Sequence, residues 1–500
     1  MFWLRSRETV SRCLLVVAVL NSSCREPDDL VAPSAQLRTA DEELTVLKAE
    51  PSSAKRGTTL NIRVTGSGFE AGSVVGLERQ GVPADGITTN STTYVTSTQL
   101  VANVTIAVHA DTGRYDVTVV TPRRRKGVGA ELFDVLHELL DIGVIGGTWS
   151  MALAINDLGH VVGTSCTQTC ASHAFFWSET GGLEDLGTIP GYSRSAAFSI
   201  NTRGQVLGAV GCYASDFGCD GKPSGEAVIW ERDGGQWRVI RLGISAFVGD
   251  GEKYGDINNA GQLVMMGTLY SLPDTAGEET QTLFRSRNRA PGMFGLAVRE
   301  PLPQLAPTAR NYAVAINDLG VVAGRSNAEP VIWFRDLVGT WQILRLGNLP
   351  GNNFALLSDL SEVDAVGRIR IVGISGQAGG SGAYPVRWTP ERDGGGRWRV
   401  LVIEALEVPS KAYQGARVSG VNAAGEAVGD YTYRGEGGYG ILDAVKWLPS
   451  GTVETLLPAP VAGLARARAI NNKSRIVGSV WDDTQACERA AFWRPRQPGT

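Results

Sequence analysis

The side chains of this 500-residue chain that could do chemistry are few. None of the four histidines shows a metal-ligand spacing or a catalytic-triad context: His109, His137, His160 and His173. Adjacent acidic residues such as Glu184 and Asp185 are predicted to be successive strand positions, which point to opposite faces of a sheet. They are therefore poor candidates for paired carboxylates. The sequence indicates no catalytic residue, no metal and no cofactor.

The cysteines suggest export rather than catalysis. Cys166 and Cys170 lie in one predicted loop, and Cys212 and Cys219 lie in the equivalent loop of the next repeat. In an oxidising compartment each pair is expected to form a short local disulfide. A zinc site is the alternative, but the spacing is poor and no helix or knuckle pattern accompanies it. Cys487 has no evident partner and is expected to be free. Asp216 and Asp220 could bind calcium, although turn chemistry explains them equally well.

One stretch recurs along the chain and organises it. Ala152–Gly163 reads A-L-A-I-N-D-L-G-H-V-V-G, and seven copies follow one another at roughly 52 residues per repeat. Asn, Asp and Gly at the centre favour a tight hairpin between two apolar strands. A metal-binding loop is the other interpretation, but Thr202, Asn259 and Ala423 replace the Asp in other copies. The apolar residues before the turns are Ile155, Ile200, Ile257, Ile316, Leu360, Val421 and Ile470.

Each repeat holds two further strands. The third strand ends in a tryptophan in most copies, and a fourth follows, as in Leu183–Ile189. Four strands per repeat predict a seven-bladed β-propeller over residues 138–495, with the tryptophans packed between blades. The last repeat lacks a fourth strand, whereas one strand is surplus before the first hairpin. Asp141–Ile145 is therefore predicted to pair beside Ala490–Trp493 and to close the ring. The tryptophans are Trp177, Trp230, Trp333, Trp388, Trp447 and Trp493.

The segment before the repeats, residues 43–136, contains several short β-rich runs punctuated by Gly and Pro. Runs at this spacing predict a β-sandwich. Pro51, Gly57–Ile62 and Thr65–Phe69 resemble the immunoglobulin-like IPT/TIG domain, and Tyr115–Val119 with Phe133–Val135 is similar to its later strands. The resemblance implies a spacer or interaction module on a cell-surface protein. The fold class expected for the whole chain is all-β, an immunoglobulin-like sandwich followed by a seven-bladed propeller.

The repeats carry a resemblance of their own. His173–Phe175, the motif A-x-A-I-N-x-x-G-x-V-V-G and Asp185–Gly191 resemble the HAF family of extracellular repeats. Leu346–Gly351 repeats the last of these elements. The resemblance implies an exported β-rich protein and brings no reaction or substrate with it.

The N-terminus resembles an export signal. Residues 1–24 combine early arginines with an apolar core too short to span a bilayer. Leu20–Cys24 resembles a lipoprotein lipobox apart from Asn21, so Cys24 is the predicted lipidation site. An ordinary cleaved signal is the alternative. Residues 25–42 are expected to be a flexible tether. The predicted location is the outer membrane or cell surface, or the medium, with membrane contact through a lipid anchor alone.

A net charge of −4 without a large basic block excludes a nucleic-acid partner. Arg123–Lys126 is the one dense basic run and is expected to be a solvated linker. The connections that lead into each first strand carry aromatic and cationic residues, which suit a monomer that binds a glycan, peptide or protein. Ordinary packing of rim loops explains them equally well. The predicted rim comprises Trp149, Tyr192, Arg194, Tyr254, Arg310, Tyr312, Phe354 and Tyr413, with Lys253 beside it.

Binding or scaffolding by an exported, surface-anchored protein is therefore the expected function. The alternative is a polysaccharide hydrolase or lyase built on the propeller. That activity would need two or three acidic or histidine side chains that converge at the mouth, and the sequence does not display them.

Overall fold

The computed structural model describes residues 43–494 except 80, 108–109, 111, 137, 212–224, 247–252, 266–281, 286–297, 378–382, 411, 435–439, 457–463 and 483–484. The predicted signal, Cys24 and the tether lie outside the described residues. The described part is all-β, as predicted, and its elements are strands throughout. It contains no helix long and apolar enough to cross a membrane.

Residues 44–136 form two sheets around one hydrophobic core. The sheets have the orders β1-β3-β7-β6 and β2-β9-β8-β4-β5. Apolar residues alternate with polar ones along the strands, so that Leu100, Ala102, Val104 and Ile106 of one strand all face the core. The strands are β1 (Thr45–Glu50), β2 (Ser53–Lys55), β3 (Thr58–Ser67), β4 (Val74–Arg79), β5 (Val82–Pro83), β6 (Ile87–Thr96), β7 (Gln99–Ile106), β8 (Gly113–Val120) and β9 (Lys126–Leu136).

The basic run Arg123–Lys126 is part of this two-sheet unit. It forms the turn between β8 and β9, where Arg125 lies 2.8 Å from a carboxylate oxygen of Glu70 and Lys126 lies 2.7 Å from Glu78. The interpretation as a linker was therefore wrong. Sequence reasoning could not place Glu70 and Glu78 beside the run because the pairing partners are more than 40 residues away.

Residues 138–494 form seven four-stranded antiparallel sheets. Six consist of four consecutive strands, and the seventh combines the last three strands with β10. The first three sheets in chain order contain β11 (Ser150–Ile155), β12 (Val161–Cys166), β13 (Ser172–Ser178), β14 (Gly182–Gly187), β15 (Arg194–Ile200), β16 (Val206–Gly211), β17 (Gly225–Asp233), β18 (Gln236–Ala246), β19 (Gly255–Ile257), β20 (Gln262–Met265), β21 (Thr282–Arg285) and β22 (Val298–Pro301).

The fourth to sixth sheets contain β23 (Asn311–Ile316), β24 (Val322–Ser326), β25 (Glu329–Arg335), β26 (Trp341–Arg345), β27 (Phe354–Leu360), β28 (Ile371–Gly376), β29 (Tyr384–Arg392), β30 (Trp398–Ala405), β31 (Ala412–Val421), β32 (Ala427–Arg434), β33 (Gly440–Trp447) and β34 (Val453–Thr455). The seventh contains β10 (Glu138–Gly143), β35 (Ala465–Ile470), β36 (Ile476–Asp482) and β37 (Cys487–Arg494).

The recurring motif is the hairpin between the first two strands of a sheet, as predicted. In the first copy the Asn156 side-chain oxygen accepts hydrogen bonds from the N–H groups of Leu158 and His160, and Gly159 takes a positive φ of 86°. The last copy has Ser474 in place of the glycine, and it adopts φ 56°. A β-bulge in the first strand precedes the turn, between Ala152 and Ala154 here and at the equivalent place in five other sheets.

The glycine that ends the motif has a packing reason. A Cβ atom at Gly163 would lie 2.0 Å from the carbonyl oxygen of Met151, and one at Gly324 would lie 2.0 Å from that of Tyr312. The first strand therefore approaches the second so closely at the bulge that no side chain fits between them.

Neighbouring sheets pack through their tryptophans, as predicted. Trp230 belongs to a cluster that joins the first two sheets, and Trp388 to one that joins the fourth and fifth. Each is fully buried, which stabilises the contact by a few kcal/mol. The indole N–H of Trp388 also donates to the carbonyl oxygen of Gly347 at 2.9 Å.

The first and last sheets meet through the predicted closure. β10 pairs with β37, so that Leu139 faces Trp493 and Gly143 faces Ala490. The pairing begins slightly before the predicted segment Asp141–Ile145. The rings of Trp177 in the first sheet and Phe492 in the seventh lie 5.4 Å apart, inside a core that both sheets share. Neither end of the repeat array is left as an unpaired edge at this seam.

The two-sheet unit contacts the sixth of the seven sheets. The Arg79 guanidinium lies 2.7 Å from the Glu454 carboxylate, and Arg114 donates to the Thr455 hydroxyl at 3.4 Å. Burial in this contact, partly offset by the charge of Arg114, raises the pKa of Asp134 to about 6.

Candidate functional site

The asparagine of the recurring motif links each sheet to the next. The side-chain amide of Asn156 donates to the main-chain carbonyl of Asn201 at 2.9 Å, and that of Asn201 donates to the carbonyl of Asn258 at 3.0 Å. The same bond joins four further pairs of turns: Asn258 to Asn317, Asn317 to Ser361, Asn422 to Asn471 and Asn471 to Asn156. Ser361 replaces the asparagine in the degenerate copy, which therefore lacks the amide donor. We call this set of bonds the asparagine belt.

The residue after each asparagine adds a second set of contacts between turns. The Asn472 N–H and side-chain amide donate to the two carboxylate oxygens of Asp157 at 2.8 and 2.9 Å. Asn259 contacts Asp318 in the same way, at 2.7 and 2.6 Å. These acidic oxygens therefore join neighbouring turns. Within the described residues no group of three or more His, Cys, Asp or Glu side chains is placed to hold a metal.

The belt surrounds one end of a central channel. A small cavity of about 150 Å³ there is lined by residues from the first strands and turns of all seven sheets. Glu362 lies at this end and accepts from the Asp318 N–H at 3.1 Å. Burial, and then repulsion from Asp318, raise the pKa of Glu362 to about 7.

A buried ion cluster lies inside the channel. The Lys253 ammonium is 3.2 Å from Asp256 and 3.4 Å from Asp359. The Ser199 hydroxyl donates to Asp256 at 2.6 Å, and the Ile316 N–H donates to its second oxygen at 3.0 Å. The cluster thereby connects the second to the fifth sheet across the channel.

One ammonium group in this cluster faces two carboxyl groups. Burial alone would lower the pKa of Lys253, but the two carboxylates outweigh it and raise that pKa, so the ammonium stays protonated. Burial raises the pKa of Asp359 despite the attraction of Lys253. A lysine held in this form is neither a nucleophile nor a base.

The opposite end of the channel opens into a larger cavity of about 490 Å³, which we call the mouth. Tyr254 and Tyr312 line it, together with the guanidinium groups of Arg325 and Arg417. Lys253 borders both this mouth and the smaller cavity. Apolar side chains complete the wall, and they include Leu153, Val314 and Leu356. The volume lies in the range of small-ligand pockets, roughly 300–1,000 Å³.

The two arginines of the mouth are available for a ligand. The Arg325 guanidinium lies over the Tyr312 ring at 4.2 Å from the ring centre, which fixes its plane and leaves its N–H edges accessible. Arg417 is exposed. Across the described residues, neither guanidinium forms an ion pair with a carboxylate.

The structure separates the residues predicted for the rim. Tyr254 and Tyr312 line the mouth, with Lys253 beside them. Tyr192 instead packs against the core between the first two sheets. The side chain of Tyr413 lies outside the described residues. The other predicted rim residues are described and do not line the mouth: Trp149, Arg194, Arg310 and Phe354.

Sequence reasoning missed Arg325, Arg417 and Arg468, which all border the mouth. Arg325 directly follows the glycine of its repeat, on the second strand, whereas the predicted rim lies in the connections that lead into the first strands. Arg417 lies on a first strand just before the bulge, and Arg468 is the bulged residue of its strand, so the simple alternation of side chains does not hold there.

Cys166 and Cys170 are not joined by a disulfide in the structure. The buried Cys166 sulfur accepts hydrogen bonds from the N–H groups of Thr148 and Trp149 at 2.9 and 3.2 Å, whereas Cys170 is exposed in the following turn. The two side chains therefore point to different surroundings, and the expectation of a local disulfide does not hold for this pair. Cys212 and Cys219, like Asp216 and Asp220, lie outside the described residues.

The acidic pair Glu184 and Asp185 diverges as predicted. Asp185 lies 2.9 Å from the His173 ring, and Glu184 contacts Arg232 at 2.6 Å. The His173–Asp185 contact joins two outer strands, β13 and β14, and it does not border the channel cavities.

No protein-family model and no curated protein matches the chain. Several solved structures are similar in fold. A catalytically inactive virginiamycin B lyase from Staphylococcus aureus, in a structure with quinupristin, aligns with a TM-score of 0.41 at 10% identity over 71% of this chain and 99% of its own. The Aleuria aurantia lectin, in complex with Fucalpha1-6GlcNAc, aligns at 0.32 and 9% over 64% and 98%. AofleA from Arthrobotrys oligospora aligns at 0.33 and 10% over 66% and 94%.

These likenesses concern the fold alone. Four-stranded antiparallel sheets whose first strands surround a channel, with the outermost strand of the last sheet taken from the start of the array, have the arrangement of a propeller. The repeats fold as a β-propeller. The mouth lies at the channel end opposite the asparagine turns.

Proposed function

We propose that the protein is a binding protein whose seven-bladed propeller recognises an acidic glycan at the mouth. The observation that carries the proposal is a cavity of about 490 Å³ that combines two tyrosines with two arginines. Flat aromatic faces suit the apolar faces of a ligand ring. A guanidinium binds a carboxylate through two parallel N–H bonds, so Arg325 and Arg417 favour a ligand with carboxylate groups.

The shape of the mouth supports a glycan over a folded protein partner. Its volume is that of a pocket for one small ligand, whereas a stable protein interface buries roughly 800 Å² on each partner. Lys253 at the floor adds a positive charge, but its two carboxylate partners neutralise it. The ligand charge is therefore met mainly by the arginines nearer the opening.

The alternative activity, a polysaccharide hydrolase or lyase, finds less support. Asp256 and Asp359 do converge on one point, but that point is the Lys253 ammonium. The second oxygen of Asp359 accepts from the Val421 N–H at 3.1 Å. The second oxygen of Asp256 accepts from the Ile316 N–H at 3.0 Å. Both oxygens of each carboxylate therefore contact groups of the protein, and neither carboxylate is free to transfer a proton to a substrate.

The two-sheet unit would act as an immunoglobulin-like spacer of the IPT/TIG type that presents a propeller of HAF-like repeats at the cell surface. The contact of Arg79 with Glu454 would hold the two in a fixed orientation. Lipidation of Cys24 would anchor the exported chain. The intact mass of the mature N-terminus tests the anchor, because a free N-terminus beyond Cys24 contradicts it.

Binding of oligosaccharides of matched length tests the ligand class. The full chain should bind an oligomer of uronic acids and should bind the neutral oligomer of the same length at least 10-fold more weakly. Affinity for the uronate should fall as salt rises, because the contact is ionic and largely exposed. Equal affinity for both oligomers, or binding to acidic peptides alone, would contradict the proposal.

A further inference from the structure

Cys166 lies at the seam between the first and seventh sheets. It ends β12, and its buried sulfur is turned toward the segment that connects β10 to β11. A Cβ atom at Gly147 would lie 2.1 Å from this sulfur, so the glycine leaves the space that the thiol fills. The N–H groups of Thr148 and Trp149 hold the sulfur from the same side.

Cys487 reaches the same connecting segment from the other side of the seam. It is the first residue of β37, and its thiol donates to the carbonyl oxygen of Thr148 at 2.9 Å. Both cysteine side chains thus contact Thr148. Burial raises the pKa of Cys487, and the nearby Cys166 adds to the shift. Cys487 is half-buried and therefore reachable from solvent.

We propose that Cys166 and Cys487 form a disulfide in the oxidised protein and that this bond clasps the first and seventh sheets together. Both thiols are unpaired in the structure, and both lie against the same residue. Cys170 is the competing partner, but it is exposed in the turn after Cys166, whereas the Cys166 sulfur contacts the N–H groups of Thr148 and Trp149.

The bond forms by two exchange steps with a disulfide oxidant. The half-buried Cys487 thiolate attacks the oxidant disulfide, which releases one thiolate and leaves a mixed disulfide on Cys487. The Cys166 thiolate then attacks the Cys487 sulfur and releases the second thiolate. The two protons from the cysteines end on the two released thiolates, so the oxidant disulfide becomes two thiols and the protein gains one S–S bond.

The disulfide would stabilise the seam between the first and seventh sheets, which is formed by segments far apart in the sequence. Hydrogen bonds between β10 and β37, and the core around Trp177 and Phe492, hold the seam. A disulfide between residues roughly 320 positions apart constrains the unfolded chain strongly. It should raise the thermal midpoint by about 5 °C over the reduced protein.

Oxidation of the purified full chain with oxidised glutathione, followed by alkylation and a denaturing gel without reductant, tests the clasp. A bond across so long a loop compacts the denatured chain, so the oxidised protein should migrate faster, and reductant should abolish the shift. Cys166→Ser and Cys487→Ser should each remove the shift, whereas Cys170→Ser should keep it.

Peptide mapping of the oxidised protein identifies the pair directly. The expected product is one peptide containing Cys166 linked to one containing Cys487. The proposal would be overturned by a link between Cys166 and Cys170 or any other partner for Cys166. It would also be overturned if Cys487 were still fully alkylated after oxidation. Because the thiols lie away from the mouth, glycan binding should be unchanged in all three variants.

Discussion

The side-chain amide of Asn471 donates to the main-chain carbonyl of Asn156 over 2.9 Å, across 315 residues of sequence. The bond joins the last turn of the repeats to the first. It repeats the contact that Asn156 makes with Asn201, so the belt runs through the seam without a change of pattern. The asparagine contact that recurs at six of the seven turns thus closes the array at the channel, while β10 and β37 close it at the outer edge.

Loss of a belt residue should destabilise the propeller. Asn201 is buried, donates to the Asn258 carbonyl, and accepts from the N–H groups of Arg203 and Gln205. Asn201→Ala should lower the free energy of unfolding by about 2–4 kcal/mol, because buried groups lose their partners. Urea denaturation measures this. The matched control is Asn90→Ala, an exposed asparagine with two side-chain bonds, which should cost less than about 0.5 kcal/mol. Equal effects of the two would contradict a structural belt.

The buried face of the closing strand β10 should contribute to the stability of the propeller. Ile142 is 5% exposed in the core shared by the first and seventh sheets, whereas Leu139 of the same strand is 37% exposed. Ile142→Ala should cost about 2–4 kcal/mol and Leu139→Ala less than about 1 kcal/mol. Thermal unfolding of both variants measures the difference. If the two midpoints coincide, β10 does not contribute a core residue to the closure.

The sequence predicted the fold well because its signals are local. The turn chemistry of Asn156 and Gly159, the buried Trp230 and the closing pair of β10 with β37 all followed from residues that repeat at a fixed period. What the asparagine does could not be predicted, because its partner is the carbonyl of the next repeat. The replacement of the following Asp by Thr202, Asn259 and Ala423 argued against a metal loop, but it did not indicate the contact between turns.

The site was predicted less completely for the same reason. Tyr254 and Tyr312 were predicted because the mouth is built partly from the connections that lead into the first strands. Arg325 was not, since its approach to the mouth depends on which way the second strand faces. The ion cluster is equally nonlocal, because Asp256 and Asp359 are about 100 residues apart and meet only across the channel.

Removal of Lys253 should leave two carboxylates without compensation. Lys253→Met should destabilise the protein by about 3 kcal/mol at pH 8, because two buried carboxylates lose the cation between them. The deficit should shrink at pH 4, because burial raises the pKa of Asp359 and that carboxyl then binds a proton more readily. Urea denaturation at both pH values measures this. Adding Asp256→Asn and Asp359→Asn to the variant should restore most of the loss at pH 8, and a triple variant no more stable than the single one would contradict the cluster.

Glu362 should make the propeller less stable as the pH rises. Its pKa is about 7, above the ordinary value for Glu, so the folded state binds the proton more tightly than the unfolded state does. The free energy of unfolding therefore falls between about pH 4.5 and 7. Glu362→Gln should flatten this slope and should be about 1 kcal/mol more stable than the wild type at pH 8, after allowance for solvent screening.

The control for Glu362 is the half-buried carboxyl of Asp134, whose pKa is about 6. Asp134→Asn should remove a slope of the same sign, but over the window from about pH 4 to 6. Stability curves measured from pH 4 to 8 separate the two groups. A Glu362→Gln curve parallel to that of the wild type from pH 6 to 7 would show that Glu362 ionises normally.

Calorimetric titration of a uronic acid trisaccharide into the full chain tests the binding site most directly. The wild type should bind, and Arg325→Ala combined with Arg417→Ala should weaken the affinity at least 30-fold, since two charge-assisted contacts are lost. The control is Arg399→Ala on β30, whose side chain is 70% exposed and does not line the mouth, and its affinity should equal that of the wild type. An unchanged affinity in the double variant would contradict the assignment of the mouth as the ligand site.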